Sequence, residues 1–323
     1  MPFFDLTPEQ LAEYRPAVRR LADFDEFWER TLAEARSFPL AATFQPVDNA
    51  VKLIETYDVT FAGFGGHPIK AWLHVPAGAT GPLPTVVQYH GYSQGRMMAW
   101  QNHLYAEAGY AHFSMDTRGQ GWSATGDTPD PAVEAGETTV PGLMTKGILD
   151  PAAYFFRRVY TDAVRAIEAA RSFELVDAGR VVVAGGSQGG GITIAAAGLA
   201  DGLVGAMPDV PFLSNFERAI GLTDRDPYHE LVRYLERYRD REQRILDTLS
   251  YFDGVNFARR AQAPALFSVG LMDEICPPST VYAAFNAYGG PKEIREYPYN
   301  DHEGGQAFHE VAKLAFLRER FGA

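Results

Sequence analysis

Residues 180–192 read RVVVAGGSQGGGI, and they are the most informative part of the sequence about its fold. It carries the pattern Gly185-x-Ser187-x-Gly189 between a run of β-branched residues and the start of a helical pattern. In a strand–turn–helix context this pattern is typical of a nucleophile elbow, in which a sharp, strained turn exposes the serine hydroxyl. Glycine is needed two residues before and after the serine, because side chains there would collide with neighbouring backbone. We therefore predict that Ser187 is a catalytic nucleophile.

Other glycine-rich motifs do not fit these residues. The dinucleotide-binding pattern G-x-G-x-x-G would need a glycine where Ser187 stands, and a start at Gly186 fails at Gln188. The phosphate-binding loop needs a lysine after its second glycine, and none follows. The remaining alternative is a glycine-rich tight turn with an incidental serine.

The segments around the elbow predict an α/β sheet. Short apolar runs that end in glycine or a polar residue are typical of parallel strands buried on both faces. These runs lie at 85–89, 110–115, 181–184, 204–210 and 265–269, and the last predicted strand lies at 293–297. Helical patterns at 159–171 and 191–199 alternate with them as crossover connections, and 53–61 with 68–75 predict an antiparallel pair. We predict the α/β-hydrolase fold, with a mostly parallel central sheet, helices on both faces and helical insertions.

The chain is predicted to be a single domain, 1–323, with three elaborations. Residues 1–37 predict a helical N-terminal extension in two pieces. Residues 119–153, rich in Gly, Pro and Thr, form a long loop insertion, and 212–262 predict a helical, cap-like insertion over the sheet. Connections of this length are usually functional. No linker separates these segments from the rest of the sequence.

The composition restricts partners and location. A net charge of −12 opposes a general attraction to nucleic acid or to anionic lipid. The sequence shows no secretory signal and no apolar run of about 18 residues, the length that a membrane-spanning helix needs. Cys276 is the only cysteine, so no internal disulfide forms. These features predict a cytoplasmic protein with neither nucleic-acid nor membrane partners.

The catalytic base should follow the nucleophile, because this fold orders its triad as serine, acid and histidine. Three of the eight histidines lie after Ser187: His229, His302 and His309. His302 directly follows the last predicted strand, at the carboxyl edge of the sheet from which a base reaches the serine hydroxyl. His309 falls on a predicted helix and His229 begins a cap helix, so both are predicted to be surface or packing residues. We predict that His302 is the general base.

The acid should lie on an earlier loop. Asp273 ends a predicted buried strand, where its carboxylate would hold the imidazole tautomer and stabilise the imidazolium. Glu274 is a neighbouring competitor, and Asp209 after the previous strand is a weaker one. Cys276 on the same loop could suggest thiol chemistry, but a packing role fits better because the nucleophile position is filled. We favour Asp273.

Two backbone N–H groups are predicted to stabilise the oxyanion. One belongs to Gln188, directly after the nucleophile. The other belongs to Tyr92, because the His90-Gly91 start of its loop resembles the loop that supplies this donor in lipases and esterases. None of the histidines shows a metal-ligand spacing such as H-E-x-x-H. Acyl transfer needs no cofactor, so we predict neither a metal nor a cofactor.

Several motifs together resemble the acetyl xylan esterase and cephalosporin C deacetylase family, carbohydrate esterase family seven. The motifs are Arg118-Gly-Gln120, Gly185-Gly-Ser-Gln-Gly189 and His302-Glu303. The likeness extends over nearly the whole chain and includes residues 3–6, 147–151, 251–257, 268–273 and 290–294.

This resemblance implies the roles of individual residues. Ser187, Asp273 and His302 would form the triad, and the N–H groups of Tyr92 and Gln188 would be the oxyanion donors. The residues implied to support the site are Arg118, Gln120, Gly185, Gly189 and Glu303. Trp122 falls where we expect variation, so the resemblance does not define the shape of the pocket there.

The resemblance also implies an activity and an assembly. Members of the family are intracellular homohexamers, trimers of dimers, whose active sites face an inner cavity. They remove acetyl groups from small acetylated substrates, xylo-oligosaccharides and cephalosporin C, through an acetyl-enzyme intermediate, and they can use hydrogen peroxide as acceptor. Two alternatives stay open: a carboxylesterase or other acyl hydrolase of the same fold with a different acyl preference, and a non-catalytic binding protein on the same scaffold.

Overall fold

The computed structural model describes residues 4–131 and 141–322, and this part of the chain contains one nine-stranded sheet. The strands are β1 (Thr43–Val47), β2 (Ile54–Ala62), β3 (Pro68–Pro76), β4 (Leu83–Tyr89), β5 (Ala111–Met115), β6 (Val176–Gly186), β7 (Gly205–Asp209), β8 (Ala265–Gly270) and β9 (Lys292–Tyr297). The helices are α1 (Pro8–Glu13), α2 (Phe24–Arg36), α3 (Leu104–Glu107), α4 (Phe155–Arg171), α5 (Gln188–Leu199), α6 (Phe216–Ile220), α7 (Tyr228–Arg237), α8 (Glu242–Ser250), α9 (Gly254–Ala258), α10 (Pro278–Ala287) and α11 (Gln306–Phe321). No helix within the described ranges is long and apolar enough to cross a bilayer.

The sheet has the strand order β1-β2-β3-β5-β4-β6-β7-β8-β9. From β5 to β9 in this order the strands pair in parallel, whereas β1, β2 and β3 form an antiparallel edge that joins β5. Parallel strands direct their carboxyl ends to the same edge of a sheet, which is where this class of fold binds its ligands. The predicted mostly parallel sheet is confirmed.

Alternate residues of the central strands pack against two different layers. Val87 and Val183 lie in a large core that includes α4 and α5, whereas Val86 and Val182 lie in a smaller core with residues of α3 and α11. This alternation follows from the two-residue period of a strand. Both faces of the sheet are therefore covered by helices, as the sequence predicted.

The N-terminal helices pack onto the body of the molecule. Thr7 caps α1 by accepting a hydrogen bond from the N–H of Gln10. Phe24 and Trp28 of α2 are fully buried, and the Trp28 indole N–H donates to the carbonyl of Tyr251 over 2.9 Å. Because both aromatic rings belong to the large core, the helical extension is packed as part of that core.

The two predicted insertions meet at the carboxyl edge of the sheet. The segment 212–262 contains four helices, α6 to α9, between β7 and β8. Of the segment 119–153, residues 132–140 lie outside the described part of the chain, and the remainder is loop with a 3₁₀ turn at Leu143–Thr145. That turn contacts α7 of the other insertion.

Strand β1 and the start of helix α4 are among the elements that differ from the sequence-based expectation. The sequence does not predict β1, because it contains Pro46 and lacks apolar alternation. It lies at the edge of the sheet, where a missing N–H is tolerated. Helix α4 begins at Phe155, one turn before the predicted residue 159, since Phe155 and Phe156 are fully buried and extend its apolar face.

Candidate active site

The nucleophile elbow is the turn from β6 into α5. Ser187 stands at the start of α5 with φ 57° and ψ −119°, a strained conformation for a residue with a side chain. A Cβ atom added to Gly185 would lie 2.6 Å from the carbonyl carbon of Gly189, and one added to Gly189 would overlap the carbonyl oxygen of Tyr89. Both glycines are therefore needed for the steric reason expected from the sequence.

The three predicted triad residues lie in hydrogen-bond contact. The Nε2 atom of His302 is 2.9 Å from the Ser187 hydroxyl oxygen, and its Nδ1 atom is 2.8 Å from a carboxylate oxygen of Asp273. The second oxygen of Asp273 accepts the N–H groups of Ile275 and Cys276, each over 2.8 Å. Burial raises the pKa of the Asp273 carboxyl, although the bond to His302 opposes this. The arrangement can carry a proton from the serine hydroxyl to an oriented imidazole.

The competing acids and His309 have other partners. Glu274 lies 3.1 Å from the guanidinium of Arg225, on the cap segment. Asp209 contacts both the Lys313 ammonium and Nε2 of His309, each over 2.8 Å. Burial opposes ionisation of Asp209, but Lys313 and His309 lower its pKa overall. His309 is thus a buried packing residue. The histidine that Asp209 contacts is His309 and not His302.

Cys276 has the environment of a packing residue. Its side chain is fully buried, and burial together with the Asp273 carboxylate raises the pKa of the thiol well above its usual range. A nucleophilic cysteine needs the opposite shift. Atoms of Asp273, Cys276 and His302 that could bind a metal lie within 4.8 Å of one another. Asp273 and His302, however, already contact each other in the triad.

The two backbone N–H groups predicted as oxyanion donors have no acceptor among the described residues. They belong to Gln188, the first residue of α5, and to Tyr92, on the loop after β4. An amide at the start of a helix has no intrahelical partner, and the helix dipole there favours negative charge. These are the two donors predicted from the sequence. Gln188 directly follows Ser187 in the chain, and Tyr92 lines the same cleft as Ser187, so both N–H groups are candidates to stabilise an oxyanion.

Gln120 joins the two predicted oxyanion donors through side-chain contacts. Its oxygen accepts the N–H of Ser93 over 2.7 Å, directly after Tyr92 in the chain. Its amide nitrogen donates to the side-chain oxygen of Gln188 over 2.8 Å, and the Gln188 amide in turn donates to the carbonyl of His90. These contacts tie the loop after β4 to the elbow.

Arg118 stabilises the loop after β5 through buried ion pairs. Its fully buried guanidinium donates to both oxygens of Asp162 on α4, over 2.5 and 2.8 Å, and lies 3.4 Å from Asp130. Lys146 also contacts Asp130, over 2.7 Å. A planar guanidinium suits such bidentate pairing. Arg118 therefore fixes the loop after β5 against α4, without lining the cleft.

A cleft of about 570 Å³ opens over the triad. Its walls include Tyr92, Trp122 and Glu230, and Glu303 lies at its rim beside His302. The ring of Trp122 meets that of Tyr92 edge to face, with centroids 5.6 Å apart. The cleft combines aromatic surface with a few convergent polar groups, which is typical of a site for a small molecule.

The whole chain matches the sequence model of one protein family. The model of the acetyl xylan esterase family (AXE1) matches residues 1–320. The chain belongs to the acetyl xylan esterase family. This confirms the family predicted from the motifs, and it assigns the chain to the carboxylic ester hydrolases.

Two solved acetyl xylan esterases share the fold closely. The enzyme from Paenibacillus sp. R4 has a TM-score of 0.91 and 42% sequence identity, and the match covers 97% of this chain and 99% of that one. Acetyl xylan esterase 1 from Thermoanaerobacterium sp. JW/SL YS485 has a TM-score of 0.89 and 32% identity, with 98% and 100% covered. The predicted α/β-hydrolase fold is confirmed over the described residues.

A relative with a similar sequence is also an esterase by name. The acetyl esterase Axe7A of Xylanibacter ruminicola is 30% identical over 298 residues, which is 92% of this chain. The chain spans 66% of the length of that relative.

Glu230 is a site residue that the sequence did not indicate. It lies on α7 of the insertion 212–262, and its carboxylate contacts the Tyr92 hydroxyl from 138 positions away in the chain. A glutamate in a helical insertion carries no motif, so only the packing of α7 over the acetyl xylan esterase cleft reveals it.

Proposed function

We propose that this protein is a serine esterase that hydrolyses acetyl esters of small acetylated carbohydrates, xylo-oligosaccharides above all. The observation that carries the proposal is the contact chain Ser187–His302–Asp273, open to a cleft that Tyr92 also lines. The N–H groups of Tyr92 and Gln188 have no acceptor among the described residues. Membership of the acetyl xylan esterase family and the names of its relatives support an acetyl ester of a carbohydrate as the substrate.

In the first half of the reaction the Ser187 oxygen attacks the acetyl carbonyl carbon, and its proton moves to Nε2 of His302. The carbonyl oxygen becomes negative and accepts the N–H groups of Tyr92 and Gln188. Asp273 stabilises the imidazolium. The bond from the acetyl carbon to the sugar oxygen then breaks, the sugar oxygen takes the proton from His302, and an acetyl-enzyme remains.

The second half repeats these steps with water. His302 removes a proton from water as the water oxygen attacks the acetyl carbon, and the same two N–H groups hold the oxyanion. The bond to Ser187 breaks, the serine oxygen recovers its proton from the imidazolium, and acetate leaves. No metal or cofactor takes part in this sequence.

The acyl preference is tested with nitrophenyl esters. We expect kcat/KM to be highest for acetyl and to fall with each added methylene, because an overfilled pocket costs about 1–3 kcal/mol. Acetylated xylobiose should release acetate, and Ser187→Ala should be inactive on both substrates. A preference for octanoyl over acetyl ester would favour the alternative, a carboxylesterase for longer chains.

Finer features of the family resemblance are also proposals. Cephalosporin C would be a substrate as another small acetyl ester, and hydrogen peroxide would replace water to release peracetic acid from the acetyl-enzyme. A homohexamer, a trimer of dimers, would surround the active sites, and light scattering should then give six times the mass of one chain. The single cysteine and the acidic charge support a cytoplasmic enzyme without nucleic-acid or membrane partners.

A further inference from the structure

Glu230 holds three chain segments together at the wall of the cleft. It lies on α7 and is only 6% exposed. One carboxylate oxygen accepts the Tyr92 hydroxyl over 2.9 Å and the N–H of Gly142 over 3.0 Å. The other accepts the N–H of Met144 over 3.1 Å and lies 3.2 Å from the same hydroxyl. The cap helix, the insertion 119–153 and the loop after β4 therefore meet at one carboxylate.

The tip of the Tyr92 ring is fixed on two sides. Its hydroxyl donates to Glu230 and accepts the N–H of Leu143 over 3.0 Å. Burial and the neighbouring carboxylate raise the pKa of the Tyr92 hydroxyl, so it stays protonated and remains a donor. The edge-to-face contact with Trp122 restricts rotation of the ring. The side chain of Tyr92 thus has little freedom to move.

The peptide that carries the Tyr92 N–H is held only within its own loop among the described residues, where its carbonyl, that of Gly91, accepts the N–H of Gln94 over 3.1 Å. The N–H before it, of Gly91, donates to Gln94 over 3.2 Å, and the N–H after it, of Ser93, donates to Gln120 over 2.7 Å. The N–H of Tyr92 has no acceptor among the described residues and is the proposed oxyanion donor. The side chain is therefore the link between this residue and both the cap helix α7 and the insertion 119–153.

We propose that Glu230 is a positioning residue for the oxyanion hole, acting through the Tyr92 hydroxyl to aim the Tyr92 N–H at the developing negative charge. This inference rests on the proposed esterase function, in which that N–H is a donor. Glu230 does not touch the reacting atoms. A carboxylate suits the role because all its lone pairs accept, whereas the nitrogen of a glutamine would face another donor.

A mere tether between the cap and the body would have different kinetic consequences. Loosening the cap would alter substrate binding and hence KM. A misaimed oxyanion donor weakens an interaction that forms only in the transition state, so kcat and kcat/KM should fall together while KM stays nearly constant. Loss of a whole oxyanion donor costs about 10²–10³ in kcat, so misalignment should cost somewhat less.

The test uses Glu230→Gln, Tyr92→Phe and the double variant with acetyl nitrophenyl ester. Each single variant should lower kcat by roughly 10–100-fold with KM changed less than about twofold. The double variant should be no slower than the worse single variant, because both remove the same link. Tyr92→Phe deletes only a hydroxyl, so it decides the matter if Glu230→Gln does not fold.

Two controls separate the possible failures. Glu168→Gln alters a half-buried carboxylate that pairs with Arg36 and Arg165 outside the cleft, and it should leave kcat unchanged. Two results would overturn the positioning role: an unchanged kcat in folded Tyr92→Phe, or a double variant whose loss of kcat is the product of the two single losses. In both cases Ser187-dependent turnover would persist, so the proposed function would stand. Lack of turnover in the wild-type enzyme would instead contradict the proposed function, and the positioning role with it.

Discussion

The adjacent carboxylates of Asp273 and Glu274 have different environments at the residue scale. The first is fully buried and lies 2.8 Å from Nδ1 of His302, whereas the second pairs with Arg225 at the surface. One position along the chain therefore decides whether a carboxylate orients the base or attaches the cap.

We expect Asp273→Asn to lower kcat by about 10⁴-fold, by analogy with the serine proteases, because an amide favours the wrong imidazole tautomer. Glu274→Gln is the matched change at the next residue and should lower kcat by less than a few-fold. Steady-state kinetics with an acetyl ester measures both. The reverse ranking would transfer the role of the acid to Glu274.

The residues of the triad could be predicted because the chemistry fixes their types and the fold fixes their order. Ser187 has a local motif, and His302 and Asp273 follow predicted strands whose ends share one edge of the sheet. The contact between Glu230 and Tyr92 has no such signal. It depends on how α7 packs over the cleft, and the side chains of an insertion do not reveal that from sequence alone.

At the scale of elements, the elbow requires glycine at particular positions of its turn. A Cβ atom at Gly189 would overlap the backbone of β4, whereas one at Gly186 would find its nearest neighbour, Cβ of Asp209, at 3.9 Å. Two glycines three positions apart thus differ sharply in the space around them.

Gly189→Ala should therefore destabilise the protein by about 1–3 kcal/mol, because β4 and α5 must move apart to accommodate the methyl group. Gly186→Ala, the matched control, should change the free energy of unfolding by much less. Urea denaturation of both variants measures the difference. Equal stability of the two variants would show that the elbow tolerates a side chain at Gly189.

The central strands could be predicted because each is an apolar run buried on both faces. Strand β1 could not, since an edge strand with Pro46 shows neither a run nor an alternation. The start of α4 could not be predicted, because it depends on the burial of Phe155 and Phe156. That burial comes from their packing in the large core and not from their spacing in the sequence.

At the scale of the whole molecule, buried histidines affect the dependence of stability on pH. Burial lowers the pKa of His74 to about 3 and that of His90 to about 4, from an ordinary 6.5. Between pH 6.5 and about 4 the unfolded chain binds protons at these positions and the folded protein does not, so they reduce stability as the pH falls through this range. Asp116 and Asp253 act in the opposite direction, because burial raises the pKa of each to about 6.

A comparison of variants isolates one such group. His74→Gln should lose about 2 kcal/mol less unfolding free energy than the wild type when the pH is lowered from 7.5 to 5. His229→Gln replaces a half-buried histidine of the cap and serves as the control. Urea denaturation at several pH values measures the slopes. Parallel curves for His74→Gln and the wild type would show that His74 takes up protons in the folded protein as well.

Formation of an acetyl-enzyme on Ser187 can be detected by trapping the intermediate. Wild type and Ser187→Ala are rapidly mixed with an acetyl ester, quenched in acid and analysed by peptide mass spectrometry, with turnover recorded in parallel. We predict one acetyl group on the wild-type peptide that contains Ser187, none on the variant, and a kcat at least about 10⁴-fold lower in the variant. Near-normal turnover by a folded Ser187→Ala protein, or an acetyl group on another residue, would contradict the account.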